Sequence, residues 1–253
     1  MVNERLAKAL RVLKKQNNTA AIPTSALDRQ DRELLMHTGF IKPVIDGWYI
    51  KSNPYELSGD LTYWYASIYS FVNSYCNSRF NKKWYLSPEA SLSIHTGDTI
   101  LPRQIQIHTK NSSNYTQKLI YDSSLMFYTP SDFLSPDMVE EKSGLRVMKL
   151  APALISVSAN YFKKKPHEAM VALSQLKDVG ELIRILIAKS KPVVAGRLAG
   201  GFAAIGRDDV ATQLKSTLQA VGLKIQVRNP FENESIILKA PTRPVSLTVR
   251  DWF

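Results

Sequence analysis

The sequence predicts an α+β protein: an N-terminal winged helix-turn-helix followed by a mixed α/β domain. Three observations carry this. Apolar residues recur at helical spacing over the first fifteen positions, Asp46-Gly47 sits between two short apolar runs, and helix-like and strand-like patterns alternate after residue 60.

In the first helix Leu6, Ala9, Leu10 and Leu13 form the apolar stripe. Arg5, Lys8, Arg11, Lys14 and Lys15 take the other faces, and Asn3 is a good N-cap. After the polar break Gln16-Asn17-Asn18, Ile22-Pro23-Thr24 leads into Ser25-Ala26-Leu27. Asp28 to Thr38 follows, with a stop at Gly39, and this span predicts two short helices joined tightly. Phe40 to Ile45 and Trp48 to Lys51 then flank Asp46-Gly47, which predicts a hairpin with a type I' turn. Helix, helix, helix, hairpin is the winged order. Leu34 and Leu35 should face the first helix with Leu27 and Ile22, turning Arg29, Gln30, Arg32 and Glu33 outward.

That outward face has the chemistry to meet a DNA major groove. Arginine pairs with guanine edges and glutamine with adenine edges, and the N-terminal end of the recognition helix is where such contacts fall. Thr24 and Ser25 at the preceding turn, and Lys42 and Lys51 on the hairpin, complete the candidate DNA contacts, the two lysines near phosphates. Winged domains also dock proteins, and Asp28, Asp31 and Glu33 keep the third helix from being strongly basic.

Composition agrees with a globular protein of two or three compact units: 253 residues, 44% hydrophobic and 22% charged. The net charge of +11 and pI near 9.6 favour a polyanionic partner, because bound cations release counterions from a phosphate backbone. Residues 1–51 hold nine basic against five acidic side chains, so more than half of the surplus lies beyond them. Cys76 has no second cysteine to pair with and reads as a packed core thiol. Charges at the N-terminus exclude a signal peptide, and no stretch is long enough to cross a bilayer, so a cytoplasmic protein without membrane contact is expected.

Ser52 to Gly59 is a turn-rich linker, which places domains at 1–52 and 60–253, with a subdivision near 190. Asp60 caps a long helix whose stripe is Leu61, Trp64, Tyr65, Ile68, Phe71, Val72 and Tyr75, a core face rather than a base-stacking one. Trp84-Tyr85-Leu86 is a strand, and Ser87-Pro88 starts a helix reaching His95 and ending at Gly97. Arg103 to His108, Lys118 to Tyr121, Leu125 to Tyr128 and Gly144 to Leu150 are further strands. Ala151 to Tyr161 begins a helical section, Phe162 to Pro166 is a basic loop, and His167 to Ala188 is largely helical. Small residues fill 192–204, a helix runs from Arg207 to about Ala220, and Leu223 to Val227 is a strand.

Asp46-Gly47-Trp48-Tyr49, the stretch from Tyr85 to Gly97, and Leu101-Pro102 opening Arg103 to His108 together resemble the AbiEi family. Its members are antitoxins of type IV toxin-antitoxin (abortive-infection) systems. The resemblance spans most of the chain. The family's strand-to-helix segment reads approximately Y-x-S-x-E-A-x-L-x-x-H-G, and here Thr96 separates His95 from Gly97. Val194 to Gly201, Ile205-Gly206-Arg207 and Asn229-Pro230-Phe231 are similar to the related N-terminal regions of some Fic-domain proteins. The resemblance implies a domain that binds inverted repeats in its own promoter. It also implies an antitoxin-type C-terminal domain that counteracts, functionally or by contact, a nucleotidyltransferase-like toxin.

No enzyme chemistry is expected. The glycines at 196, 200, 201 and 206 match neither the dinucleotide nor the P-loop order, and the four histidines lack metal-ligand spacing. No nucleophile elbow surrounds Ser87 or Ser91 near His95, and neither the Fic nor the nucleotidyltransferase motif occurs, so no catalytic residue, metal or cofactor is expected. Two alternatives stand beside the DNA-binding reading. One is a non-catalytic interaction module like the regulatory part of a Fic-type protein, for which the terminal Trp252-Phe253 would need a packing partner. The other, a phosphoryl-transfer enzyme, rests only on Gly-rich and basic segments.

Overall fold

The computed structural model describes residues 2–15, 21–55, 61–110 and 113–231. The capping role read for Asp60 and the packing of Trp252-Phe253 lie outside them. The fold is mixed α/β with several small sheets, and the chain divides into two compact units, Met1–Val157 and Ser158–Phe253.

The first unit opens with α1 (Val2–Lys15), β1 (Ala21–Pro23), a 3-10 turn (Thr24–Ala26), α2 (Arg29–His37), β2 (Ile41–Ile45) and β3 (Trp48–Lys51). Helix α1 starts at Val2, so Asn3 lies inside its first turn and not at the cap. The expected middle helix is a single 3-10 turn bounded by extended Pro23 and Leu27. A strand precedes it, because Pro23 disfavours the helical conformation at Ile22. β1 and β2 both pair antiparallel with β3, giving the order β1-β3-β2. At the hairpin only Gly47 has positive φ (+78°), so the turn is not type I', which needs two such residues. A bulge between Pro43 and Ile45 breaks the alternation of β2.

This small sheet is buried on both faces. Ile22 and Ile41 join Ala9, Leu13, Leu27 and Leu35 beneath α1 and α2. Ala21, Val44 and Ile50 join Trp64, Ile68 and Phe71 of α3 (Thr62–Phe80). Trp48 adds edge-on contacts to Phe71 at 6.3 Å and Tyr75 at 5.6 Å. Leu34, expected in the α1 core, is only half-buried, and Met36 packs there with Leu35. Helix α3 covers the sheet's second face, so the first compact unit runs on to Val157; residues 56–59 of the linker read at Ser52 to Gly59 lie outside the described residues. On α3 itself Tyr65 is exposed while Cys76 is fully buried.

Next comes a four-stranded sheet of β4 (Trp84–Leu86), β5 (Gln104–Thr109), β6 (Tyr115–Lys118) and β7 (Ser124–Tyr128), in the order β4-β5-β7-β6. β5 and β7 run parallel and the other pairs antiparallel. The strand read at Lys118 to Tyr121 lies earlier, because Tyr121 and Asp122 turn at positive φ and connect β6 to β7. Helix α4 (Pro88–Thr96) is capped by the Ser87 hydroxyl, which accepts from Ala90 N–H, and closed by left-handed Gly97. A hairpin of β8 (Val139–Lys142) and β9 (Leu145–Met148) and the buried helix α5 (Leu150–Ser156) complete the unit.

The second unit is helical through Ala220: α6 (Ala159–Lys164), α7 (Pro166–Gln175), α8 (Val179–Ala188), α9 (Pro192–Ala204) and α10 (Asp208–Ala220). Phe162 to Lys164 therefore belong to a helix and not to a basic loop. Phe162 is fully buried, and that burial holds the turn in place. The strand read at Leu223 to Val227 does not form. That segment lies without regular structure along α9, its Arg228 N–H donating to Gly196 O at 3.2 Å. The glycines exist for this approach: a Cβ on Gly196 would stand 1.9 Å from Gln226 O, and one on Gly200 2.0 Å from Arg228 O. Arg207, whose guanidinium caps α7 by donating to Leu173 O and Leu176 O (3.0 and 2.8 Å), is likewise structural.

Two stability changes follow from this packing. Ile50→Ala should cost about 2–5 kcal/mol, read as a drop in the denaturant midpoint, because Ile50 is 1% exposed against α3; an unchanged midpoint contradicts the two-sided burial. Gly200→Ala should destabilise by roughly 1–3 kcal/mol as the 226–229 segment is pushed off α9, and thermal melting equal to the parent's counts against the seam.

Candidate nucleic-acid interface

Helix α2 begins directly after Asp28, and its first turn projects the residues read as base contacts. Arg29, Gln30 and Glu33 are exposed, as is Ser25 at the preceding 3-10 turn, while Leu35 anchors the opposite face. Arg29 Nε donates to Glu33 Oε1 at 2.9 Å, one helical turn away, and this raises the guanidinium pKa through hydrogen bonding and charge. Gln30 Oε1 accepts from Arg5 Nη2 on α1. Arg5 also pairs with Asp31, 3.3 Å from its Nε, so α1 fixes the start of α2.

Arg32 occupies a different environment. It is half-buried, its Nη1 donates to Thr24 O at 3.4 Å, and its guanidinium lies over the Tyr49 ring at 5.9 Å. It ties α2 to the 3-10 turn and to β3. Thr24 is half-buried as well, and its N–H donates to Gly47 O at 2.8 Å, joining the turn to the hairpin tip. Lys42 Nζ donates to the Tyr121 hydroxyl at 3.4 Å. Lys51 is half-buried, which lowers its ammonium pKa.

Ser25, Arg29, Gln30 and Glu33 are thus all exposed, Arg29 and Glu33 as a pair, while Thr24 and Arg32 are engaged in the framework. Sequence reasoning missed His37, exposed two turns along from Arg29 through the same i, i+4 spacing that pairs Arg29 with Glu33. It also missed Arg5, whose contact spans twenty-five residues and leaves no local signal. A cleft of about 430 Å³ between α1 and α2 is lined by Glu4, Arg5, Lys8, Asp28 and Asp31. The surface is therefore mixed in charge.

The Ser-and-His stretch of α4 is bonded to backbone instead of forming a reactive pair. Ser91 Oγ accepts from Met148 N–H at 3.0 Å and donates to Leu86 O. His95 Nε2 lies 2.8 Å from Met148 O. Two side chains one turn apart on α4 thus satisfy both polar backbone groups of one residue of β9. Lys142 Nζ stands 3.3 Å from His95 Nδ1, so the fitting tautomer donates from Nε2 and accepts at Nδ1. Burial lowers the His95 pKa first; the Met148 carbonyl opposes it, Lys142 lowers it further, and Glu140 raises it. Among the described residues no cluster of potential metal ligands occurs.

These observations define a mixed α/β protein carrying a small helix-and-sheet assembly at its N-terminus. No protein-family model and no curated protein matches the chain. It is similar in fold to the crystal structure of the RV2827C protein from Mycobacterium tuberculosis, at 13% identity and a TM-score of 0.53, over 82% of this chain and 80% of that one. Among the described residues no helix is long and apolar enough to cross a membrane.

Burial also sets a pH dependence. His108, between the Tyr85 and Tyr128 rings at 5.4 Å each, has its pKa lowered to about 4 by desolvation. The unfolded chain takes up this proton near pH 6.5 and the folded one only near 4, so stability is full above the former and falls as pH drops between the two. Linkage gives roughly 3 kcal/mol across that window. His108→Phe should flatten this acid loss in denaturant titrations at several pH values, and a slope equal to the parent's would remove His108 as its source.

Proposed function

We propose that residues 1–52 act as a winged helix-turn-helix that binds duplex DNA through the exposed start of α2, and that the chain is a repressor of its own promoter. The observation that carries this reading is the order helix, strand, turn, helix, hairpin around an antiparallel β1-β3-β2 sheet, with Arg29, Gln30 and Ser25 exposed where α2 begins. The Arg29–Glu33 pair does not bar base contact. An exposed ion pair contributes about 0–1 kcal/mol, less than a bidentate arginine–guanine contact of roughly 1–3 kcal/mol. Lys42 supplies phosphate contact at the hairpin, and Arg32 positions α2 from behind. The resemblance to AbiEi antitoxins supplies the biological setting: inverted repeats upstream of the gene as operator, and a nucleotidyltransferase-like toxin as the activity counteracted.

One observation favours the interaction-module reading as a second. Glu33, paired with Arg29 on α2, and Asp46 at the hairpin tip are both exposed, and a charge-balanced face suits a protein partner better than a polyanion.

Binding of labelled DNA from immediately upstream of the gene, against scrambled competitor and across a salt series, separates the two. Competitor-resistant binding that weakens with salt is the expected result. Arg29→Ala and Gln30→Ala should each weaken operator binding by ~1–3 kcal/mol, while Lys42→Ala should weaken all sequences alike and reduce the salt slope by about one. Salt-sensitive binding without sequence preference, or none, transfers the assignment to the interaction module.

A further inference from the structure

In the second unit the 226–230 segment, drawn onto α9 by Gly196 and Gly200, forms one wall of a concavity of about 390 Å³. Its lining is Lys163 from the end of α6, Val193 and Arg197 from α9, Arg228, Asn229 and Pro230 from the segment, and Ala159. Three cations from three separate stretches of chain converge on one small space. We propose that this concavity binds a small molecule through a phosphate group, with Lys163, Arg197 and Arg228 as its cationic ligands.

The geometry prepares each group for that task. Arg197 is half-buried and its guanidinium lies over the Phe162 ring at 5.2 Å, so its position is set before any ligand arrives. Phe162 is held in turn by Phe231, with ring centroids 5.9 Å apart. Burial lowers the Arg197 pKa, because water solvates the guanidinium incompletely there. Arg228 is fixed through its own N–H to Gly196 O and through Nη2 to Gln226 Oε1 at 2.8 Å. Asn229 Oδ1 already accepts from Phe231 N–H at 2.9 Å, so the Asn229 amide has its NH2, a donor, to offer.

An anion seated in the concavity accepts charge-assisted hydrogen bonds from the cations around it. Phosphate suits guanidinium groups because its oxygens match their paired donors. The space is larger than inorganic phosphate requires and falls at the lower end of small-ligand clefts. Val193, Pro230 and Ala159 supply an apolar surface for an organic remainder. A concave site of this size favours a phosphomonoester over the continuous backbone of a nucleic acid, which tracks an open groove.

The test is calorimetric titration of the full chain with inorganic phosphate and with AMP at constant ionic strength, alongside a short single-stranded oligonucleotide. Saturable binding of phosphate, tighter binding of AMP, and about tenfold weakening of both by Lys163→Gln and by Arg228→Gln are expected, one lost charge-assisted hydrogen bond in each case. Both substitutions are at exposed positions, so unchanged melting in the absence of ligand separates loss of the site from loss of the fold. Arg29→Ala should leave phosphate affinity unchanged, which keeps this result independent of operator binding. Absence of saturable phosphate and AMP binding, equal affinity in the variants, or binding of the oligonucleotide alone overturns the proposal.

Discussion

Burial of one three-stranded sheet on both of its faces is the constraint on which the first unit depends. Alternation along β1 and β3 sends Ile22 toward α1 and α2 but Ala21 and Ile50 toward α3. The same short strands therefore serve two cores. A sheet of three strands averaging four residues has little stability alone, and here neither face is left to water. The bulge in β2 adds to this, because it breaks strict alternation and lets both Val44 and Ile45 pack on the α3 side.

The candidate DNA-binding surface inherits its rigidity from that arrangement. Leu35 and Met36 hold α2 from one side, Arg5 ties its first turn to α1, and Arg32 reaches the Thr24 carbonyl and the Tyr49 ring. Tyr49 lies on β3, whose other face carries Trp48 against Phe71 and Tyr75. A side chain on α2 is thus linked through one strand to the long helix that follows the linker. Placing functional side chains on an element braced from several sides, rather than on a loop, limits the conformational entropy lost when they engage a partner.

The second unit uses a different device. Helix α9 carries no large side chain at Gly196, Gly200 or Gly201, and the chain after α10 lies against it at backbone distance. The contact substitutes for the strand pairing that Leu223 to Val227 suggests, and one hydrogen bond from Arg228 N–H to Gly196 O registers it. Cations that look scattered in the sequence acquire distinct roles here. Arg207 satisfies the terminal carbonyls of α7, whereas Lys163, Arg197 and Arg228 meet around one concavity.

Features set by neighbouring residues were legible from the chain alone. Helical period located α1, α2, α3 and α10, Ser87-Pro88 and Gly97 bounded α4, and Asp46-Gly47 located the hairpin, because caps, turns and local periodicity act over a few residues. The exposed Arg29 and Gln30 were legible for the same reason, lying opposite the Leu35 that the period assigned to the core. Features that depend on partners far apart in the chain were not. β1, Ala21–Pro23, sits beside a polar break, ends in a proline and exists because β3 pairs with it. The engagement of Arg32 with Tyr49, of Gln30 with Arg5, and of Ser91 and His95 with Met148 leaves no mark in local composition. The division at Val157/Ser158 rests on burial shared between the first sheet and α3, which turn-forming residues in the sequence do not report.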